Sequence, residues 1–290
     1  MDTRKRTERR QELPEAKQAV RASARQMPEV SVICTARNAG RTIATAINTI
    51  LNQDFTDWEM LIIDDGSTDE TFAIVHDYYS DRRLKLYSDE HMGRSTALNY
   101  ALDLAEADLV AVIDADDLAH PQRLGLQRQA MLAEPGIVVL GAGAVPLLGI
   151  DGPLVRVDGS DLFPPVERLS DIQVLTKKEF RRSNPLVHSS VMYRREAVRA
   201  IGGYTNLPNA VDYDLFVRCL EAGYLIGWVP EVLTGKRLHP GQHFAGLPNF
   251  SRLKTSISVQ RRAGASMAQC AARAAWMMVP RNIRDYVRAI

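Results

Sequence analysis

Three carboxylates stand within four residues in the segment VIDADDLAH: Asp114, Asp116 and Asp117. They follow ADLVAVI, an apolar run that reads as a buried strand. Acids this close repel one another, so the segment needs a positive partner. Residues two apart on a strand end share a face, and Asp114 and Asp116 therefore project in similar directions. Two hard oxygen donors at that spacing suit Mg2+ or Mn2+, an ion that keeps waters and takes further ligands from substrate phosphates. A divalent cation and a bound diphosphate together would turn the repulsion into attraction. Asp-x-Asp is also common in turns and solvated caps, so its weight depends on the elements that position it.

Those elements alternate. VSVICT reads as a strand and AGRTIATAINTILNQ as a helix, with apolar spacing at Ile43, Ile47, Ile50 and Leu51. WEMLIID is a second strand, and STDETFAIVHDYYS a second helix with Ser67 or Thr68 as N-cap. RLKLYS, GRSTALNYALDLAE and DLVAVID continue as strand, helix and strand. The pattern predicts an α/β fold, a Rossmann-like and mostly parallel sheet flanked by helices on both faces. Right-handed crossovers bring the four strand ends to one edge, where such sheets bind ligands. That edge would carry Thr35, Arg37 and Asn38, then Asp64 and Asp65, then Ser88 and Asp89, then the acid cluster.

The second half is less regular. PQRLGLQRQAMLAEP reads as a helix, GIVVLGAGA as a strand, and residues 150–166 as loop or hairpin. LVHSSVMYR is strand-like, REAVRAIGGY a short helix closed by Gly202 and Gly203, and VDYDLFVRCLEAGY a helix ended by Gly223. LIGWVPEVLTGKRLHP suggests two short strands, and helices are expected from about residue 249 onward.

Composition narrows the class. The chain has 290 residues, 46% of them hydrophobic, enough to bury a sizeable core. Thirty-six basic and thirty-five acidic residues leave a formal charge of +1, so the global charge of a nucleic-acid binder is absent. Cys34, Cys219 and Cys270 lie far apart without a CxxC and read as free thiols in a reducing compartment. The longest apolar stretch, IVVLGAGAVPLLGI, is too short to span a membrane, and the basic start of the chain lacks an apolar leader segment. A cytoplasmic protein is expected, or one peripheral at the inner membrane face. Residues 1–28 read as a polar extension, 29–245 as the working domain and 246–290 as a helical segment.

The motif series VSVICTARNAGRTIATAINTILNQDFTDWEMLIIDDGSTDET, HMGRSTALNYAL, VIDADDLAHPQRL, HSSVMYRREAVRAIGGY and VDYDLFVRCLEAGY resembles glycosyltransferase family 2, with its GT-A fold, over residues 29 to 241. The resemblance implies a nucleotide-binding half at 29–120 and an acceptor half at 121–245. It implies that Thr35 and Asp65, with Asp64 in support, line the base pocket of a nucleotide-diphospho-sugar donor, a UDP-sugar foremost. Asp114 would face the ribose and Asp116 hold Mn2+ or Mg2+ on the diphosphate, Asp114 and His239 completing the metal set. Asp212 matches the acid that serves as general base in inverting members, with a glycan or lipid-linked acceptor. Asp117 would orient its neighbours or cap the next turn.

Arg37 stands where the family often has a ring, and it would contact base or phosphate or be solvated. Val211 replaces the usual glutamate before the base, His91 a frequent asparagine, and Leu98 the arginine of Ala-Arg-Asn. His188 would sit near the diphosphate or acceptor, or be a hydrogen-bonded histidine beside a strand. Trp228, Tyr204 and Tyr213 could stack on a sugar or belong to the core. On a helix Asp212 and Asp214 point apart, and geometry alone does not choose between them. The arginine-bearing C-terminal segment fits either an anionic membrane surface or packing on the domain or a second copy. Two other classes stand beside the transferase: a nucleotidyltransferase, for which CTARNAGRT is a poor phosphate loop, and a non-catalytic sugar-nucleotide-binding module.

Overall fold

The computed structural model describes residues 27–148, 155, 156, 162–238 and 249–278. Its first half alternates as expected: β1 (Val30–Ala36), α1 (Ile43–Leu51), β2 (Trp58–Asp65), α2 (Thr71–His76), β3 (Leu84–Asp89), α3 (Arg94–Leu104) and β4 (Leu109–Val112). All four strands are parallel, β1 lying between β2 and β4 with β3 outside β2. Every residue of β1 and β2 is buried, which is what two apolar faces require. The alternation is read directly from β1. Val30, Val32, Cys34 and Ala36 join α1, Val75 of α2 and Leu124 in one core. Ile33 turns the other way, toward Ala97, Leu98 and Ala101 of α3.

The second half adds β5 (Leu118–Ala119), α4 (Arg123–Ala133), β6 (Ile137–Leu148), β7 (Val155–Arg156), β8 (Gln173–Leu175), α5 (Lys177–Phe180), a 3-10 turn at His188–Ser190, β9 (Met192–Arg194), α6 (Arg195–Ala200), α7 (Val211–Glu221) and β10 (Leu225–Arg237). One mixed sheet results, in the order β3-β2-β1-β4-β9-β6-β10-β5, with β7 on β6 and β8 on β10. Two helices follow, α8 (Asn249–Arg262) and α9 (Met267–Met278). α8 buries Val259, and with Ala263 just beyond its end it joins the core that holds α7. Gln260 donates to the carbonyls of Arg181 and Arg182, so α8 is packed on the domain. Among the described residues no helix is long and apolar enough to cross a membrane.

Three expectations are corrected. LIGWVPEVLTGKR forms one strand, not two, and it absorbs Pro230 through register shifts against β6. A bulge tolerates proline because the ladder is already interrupted there. LVHSSVMYR is strand only from Met192, because the Ser190 N–H donates to the Val187 carbonyl and closes a 3-10 turn, with Ser190 Oγ donating to the same carbonyl. Neither Ser67 nor Thr68 caps α2; the helix starts at Thr71, and Asp69 accepts from the Thr71 N–H and hydroxyl instead. The closing glycines behave as expected, with φ of +85° and +63° at Gly202 and Gly203 and +83° at Gly223.

Candidate active site

The parallel strands end together, so the loops after β1, β2, β3 and β4 meet at one edge. The first two are laced to each other. Asn38, at φ +50°, accepts from the Thr68 N–H at 2.8 Å, and its own N–H donates to Ser67 Oγ at 2.9 Å. The Ala39 and Gly40 N–H groups donate to Thr71 Oγ1 and Asp69 Oδ2. Asp64 is buried, with one oxygen accepting from the N–H and hydroxyl of Ser67. Asp65 turns toward the third loop: Oδ1 accepts from the Met92 and Gly93 N–H groups at 2.7 and 3.1 Å, and Oδ2 faces His91 Nδ1 at 3.0 Å. His91 Nε2 in turn meets Arg37 Nη1 at 2.5 Å. Gly66 has φ +69°, and a Cβ there would sit 2.9 Å from the His91 nitrogen, so only glycine lets these loops close. Thr35 lies at the buried end of β1, in register with Ile63.

At the end of β4 the three acids come together, one oxygen of each lying within 4.8 Å of the others. Their partners differ. Asp117 is buried and committed to the fold, accepting from Ser189 Oγ at 2.5 Å and from the Arg237 N–H at 2.9 Å. Burial pushes its carboxyl up to about 7, and the charges of Asp116 and Asp114 add to that. Its two oxygens thereby fix Ser189 and the Arg237 backbone. Asp114 accepts from Arg94 Nη2 at 2.6 Å and lies 3.7 Å from His188 Nδ1. Burial raises its pKa, but Arg94 and then His188 outweigh burial and hold the carboxyl well below the usual carboxylate range. Asp114 and Asp116 are hard oxygen donors beside a third acid that repels them, a donor set that fits a divalent cation.

Across the edge, α7 begins abruptly after Ala210, whose φ of +58° is rare for a residue with a Cβ. That entry sets Asp212 in the first turn, where it accepts from Asn184 Nδ2 at 2.8 Å. Asp214, two residues on, points elsewhere: it is buried and paired with Arg218 at 2.8 Å and Arg262 at 2.5 Å. Arg94 and Lys236 each lie within electrostatic reach of Asp114, Asp116 and Asp212, so acids from β4 and α7 share one site with two cations.

His188 is buried, with Nδ1 3.2 Å from Arg94 Nη2 and Nε2 3.0 Å from the Tyr204 hydroxyl. It stands against Asp114 as a hydrogen-bonded core histidine. Tyr204 and Tyr213 are buried, the latter donating to the Phe180 carbonyl, and Trp228 lies near the far end of β10 from Lys236. His239 lies outside the described residues.

Sequence reasoning missed three residues. Arg94 had a signal: a cation opening a helix opposes the helix dipole and calls for an acid nearby. Lys236 had a weaker one, the period-two alternation of a strand. Asn184 had none, being 28 residues from the acid it contacts.

The sequence profile described as "Glycosyl transferase family 2" matches residues 31–202. The O-antigen biosynthesis glycosyltransferase WbnJ of Escherichia coli is 28% identical over 221 residues, covering 75% of this chain and 82% of WbnJ. The fold is similar to residues 1–349 of TarS from S. aureus in complex with UDP-GlcNAc (TM-score 0.63, 19% identity, 89% of this chain and 73% of that one). It is also similar to the mannosyltransferase PcManGT from Pyrobaculum calidifontis in complex with GDP-Man and Mn2+ (TM-score 0.55, 19% identity, 90% and 83%).

Proposed function

This chain belongs to glycosyltransferase family 2 and is a glycosyltransferase of the GT-A fold, and from that premise we propose that it is an inverting, metal-dependent transferase. It moves a sugar from a nucleotide-diphospho-sugar to an acceptor hydroxyl of a cell-surface polysaccharide or glycolipid. The observation that carries this reading is the meeting of Asp114 and Asp116 with Asp212 across one strand edge.

In this reading residues 29–120 hold the donor. The laced loops after β1 and β2 form the base pocket around Thr35, Asp64 and Asp65, with Arg37 at its rim. Asp114, aimed by Arg94 and His188, meets the ribose. Asp116 and Asp114 would hold Mn2+ or Mg2+, with His239 as the further ligand that the family resemblance implies. A divalent ion bound there supplies Lewis-acid stabilisation to the departing diphosphate. Breaking the sugar–phosphate bond leaves positive character on the ring and negative charge on the diphosphate. Asp212, held by Asn184, takes the proton of the acceptor hydroxyl as it attacks from the opposite face. One base and in-line displacement invert the anomeric carbon. Val211 offers no second carboxylate beside it.

WbnJ, by its name, works in O-antigen biosynthesis, which supports a glycan or lipid-linked acceptor. UDP-GlcNAc in TarS supports a UDP-sugar, and GDP-Man with Mn2+ in PcManGT supports the metal. The acceptor half, 121–245, then sets the sugar and acceptor. The enzyme works in the cytoplasm, where the acceptor's membrane would bring it to the inner face.

Thermal-shift titration with UDP-, GDP- and dTDP-sugars, with and without Mn2+, tests the reading. One donor class should raise the melting temperature only with metal, and Asp116→Ala should abolish the metal-dependent part. A nuclear magnetic resonance assay of product anomeric configuration should show inversion. A shift independent of Asp116, or retention, would refute the corresponding part.

A further inference from the structure

Among the described residues Lys236 is a cation without a hydrogen-bond or ion-pair partner. It sits next to the end of β10, where no register shift separates it from Thr234, so the two share a face. Thr234 Oγ1 donates to the Ser189 carbonyl at 3.2 Å, and Ser189 Oγ donates to Asp117. Those contacts tie this face of β10 to Asp117, and Lys236, on the same face, lies within electrostatic reach of Asp117, Asp114, Asp212 and Asp116. Arg237 turns to the other face, where Nε donates to the Asp116 carbonyl at 2.8 Å. Burial lowers the Lys236 pKa, but Asp117, Asp114, Asp212 and Asp116, in that order, more than offset it. Among the described residues, however, its ammonium closes no hydrogen bond or ion pair with any of them. Arg94 is different, since its guanidinium is already engaged by Asp114 at 2.6 Å and His188 at 3.2 Å. An ammonium with three donors, half-buried among carboxylates and, among the described residues, short of a hydrogen-bond acceptor, suits an incoming anion.

We propose that Lys236 grips the diphosphate of the donor and of the nucleoside diphosphate product, as a resident cation beside the metal-binding carboxylates. The inference rests on the nucleotide-sugar reading and deepens it. In the transfer, the acceptor oxygen forms its bond to the anomeric carbon while its proton passes to Asp212. The bond from the anomeric carbon to the β-phosphate oxygen breaks, and its electron pair stays on that oxygen. Lys236 donates a hydrogen bond to the phosphate as that charge appears and gives up no proton. Because it belongs to the chain, this grip persists when metal is removed.

The test titrates UDP against UMP, and GDP against GMP, into wild-type protein, Lys236→Gln and Lys236→Arg, in Mn2+ and in EDTA. In EDTA the wild type should prefer the diphosphate to the monophosphate of the base it binds. Lys236→Gln should lose about 10- to 100-fold of that preference, the worth of one charge-assisted hydrogen bond. Lys236→Arg should keep most of it, and monophosphate affinity should stay level in all three. A lysine that merely balances the acids would move the melting temperature and leave the ratio untouched, and an unchanged ratio in Lys236→Gln overturns the proposal. Should that variant unfold, Lys236→Met, which keeps the packing of the side-chain stem and removes the charge, carries the test with the same two outcomes. If the wild type binds no nucleotide even with Mn2+, the donor reading itself falls.

Discussion

Asp212 and Asp214 lie two residues apart on one helix, and exchanging each for asparagine should produce opposite failures. Asp214 is 4% exposed and holds two arginines, Arg218 and Arg262. Breaking a buried ion pair by removing one partner costs about 3–5 kcal/mol. Here Arg262 is 36% exposed and an amide oxygen can still accept from Arg218, so the cost is nearer 2–3 kcal/mol. At about 2–3 °C per kcal/mol for a chain of this size, Asp214→Asn should melt about 4–9 °C lower. Its kcat should stay within a few-fold, because the side chain faces α8 and not the strand edge. Among the described residues Asp212 makes a single hydrogen bond, from Asn184, that an asparagine oxygen can still accept. Asp212→Asn should therefore melt within about 2 °C of wild type, as most partly exposed substitutions do. It should lose about 10²–10⁴-fold in kcat, or about 3–5.5 kcal/mol of barrier, while donor binding persists. Differential scanning fluorimetry and a coupled nucleoside-diphosphate-release assay read both quantities. Turnover of Asp212→Asn within tenfold of wild type, or an inactive Asp214→Asn with an unchanged melting point, would refute the assignment.

Two further outcomes follow from the loops and the thiols. Burial raises the Asp69 pKa, but the Thr71 hydroxyl and the Gly40 and Thr71 N–H groups outweigh it and hold the carboxyl below 3.8. A depressed acid stabilises fully above its unfolded value, so its lacing of the loops should be intact at neutral pH and vanish only as pH falls below about 4. Asp69→Ala should raise the donor KM several-fold at pH 7 with kcat nearly unchanged; equal KM values would show that the loops do not depend on it. All three cysteines are buried, burial pushing Cys219 up to about 12 and Cys34 far above its usual value. Iodoacetamide should therefore modify the protein only after denaturation, and rapid native labelling followed by mass spectrometry would contradict this burial.

The first half of the fold was legible because its strands are buried on both faces. Runs such as MLIID and LVAVI bounded by turn residues admit few other structures, and crossover handedness then orders their ends. The second half hid its architecture in long-range pairing. Pro230 reads as a strand break, yet the partner β6 accommodates it where the Pro230 carbonyl lies over Gly143, a position with no room for a Cβ. In HSS, hydroxyl and backbone groups close a local turn that apolar patterning does not register. The acids were visible one by one, but the partners that fix two of them were not. Asp117 is made structural by Arg237, 120 residues away, and Asp214 by Arg262, 48 residues away. The cations Arg94 and Lys236 were overlooked because charge balance at a site is a property of the assembled edge.

The proposed transfer requires a cation clasped by the end of β4 against the donor's phosphates. An anomalous difference map from a crystal grown with Mn2+ and the preferred nucleoside diphosphate addresses this directly. We expect a peak within about 2.5 Å of an Asp116 carboxylate oxygen and of the diphosphate. Nucleotide bound in the pocket with manganese elsewhere, or with no manganese, would contradict it.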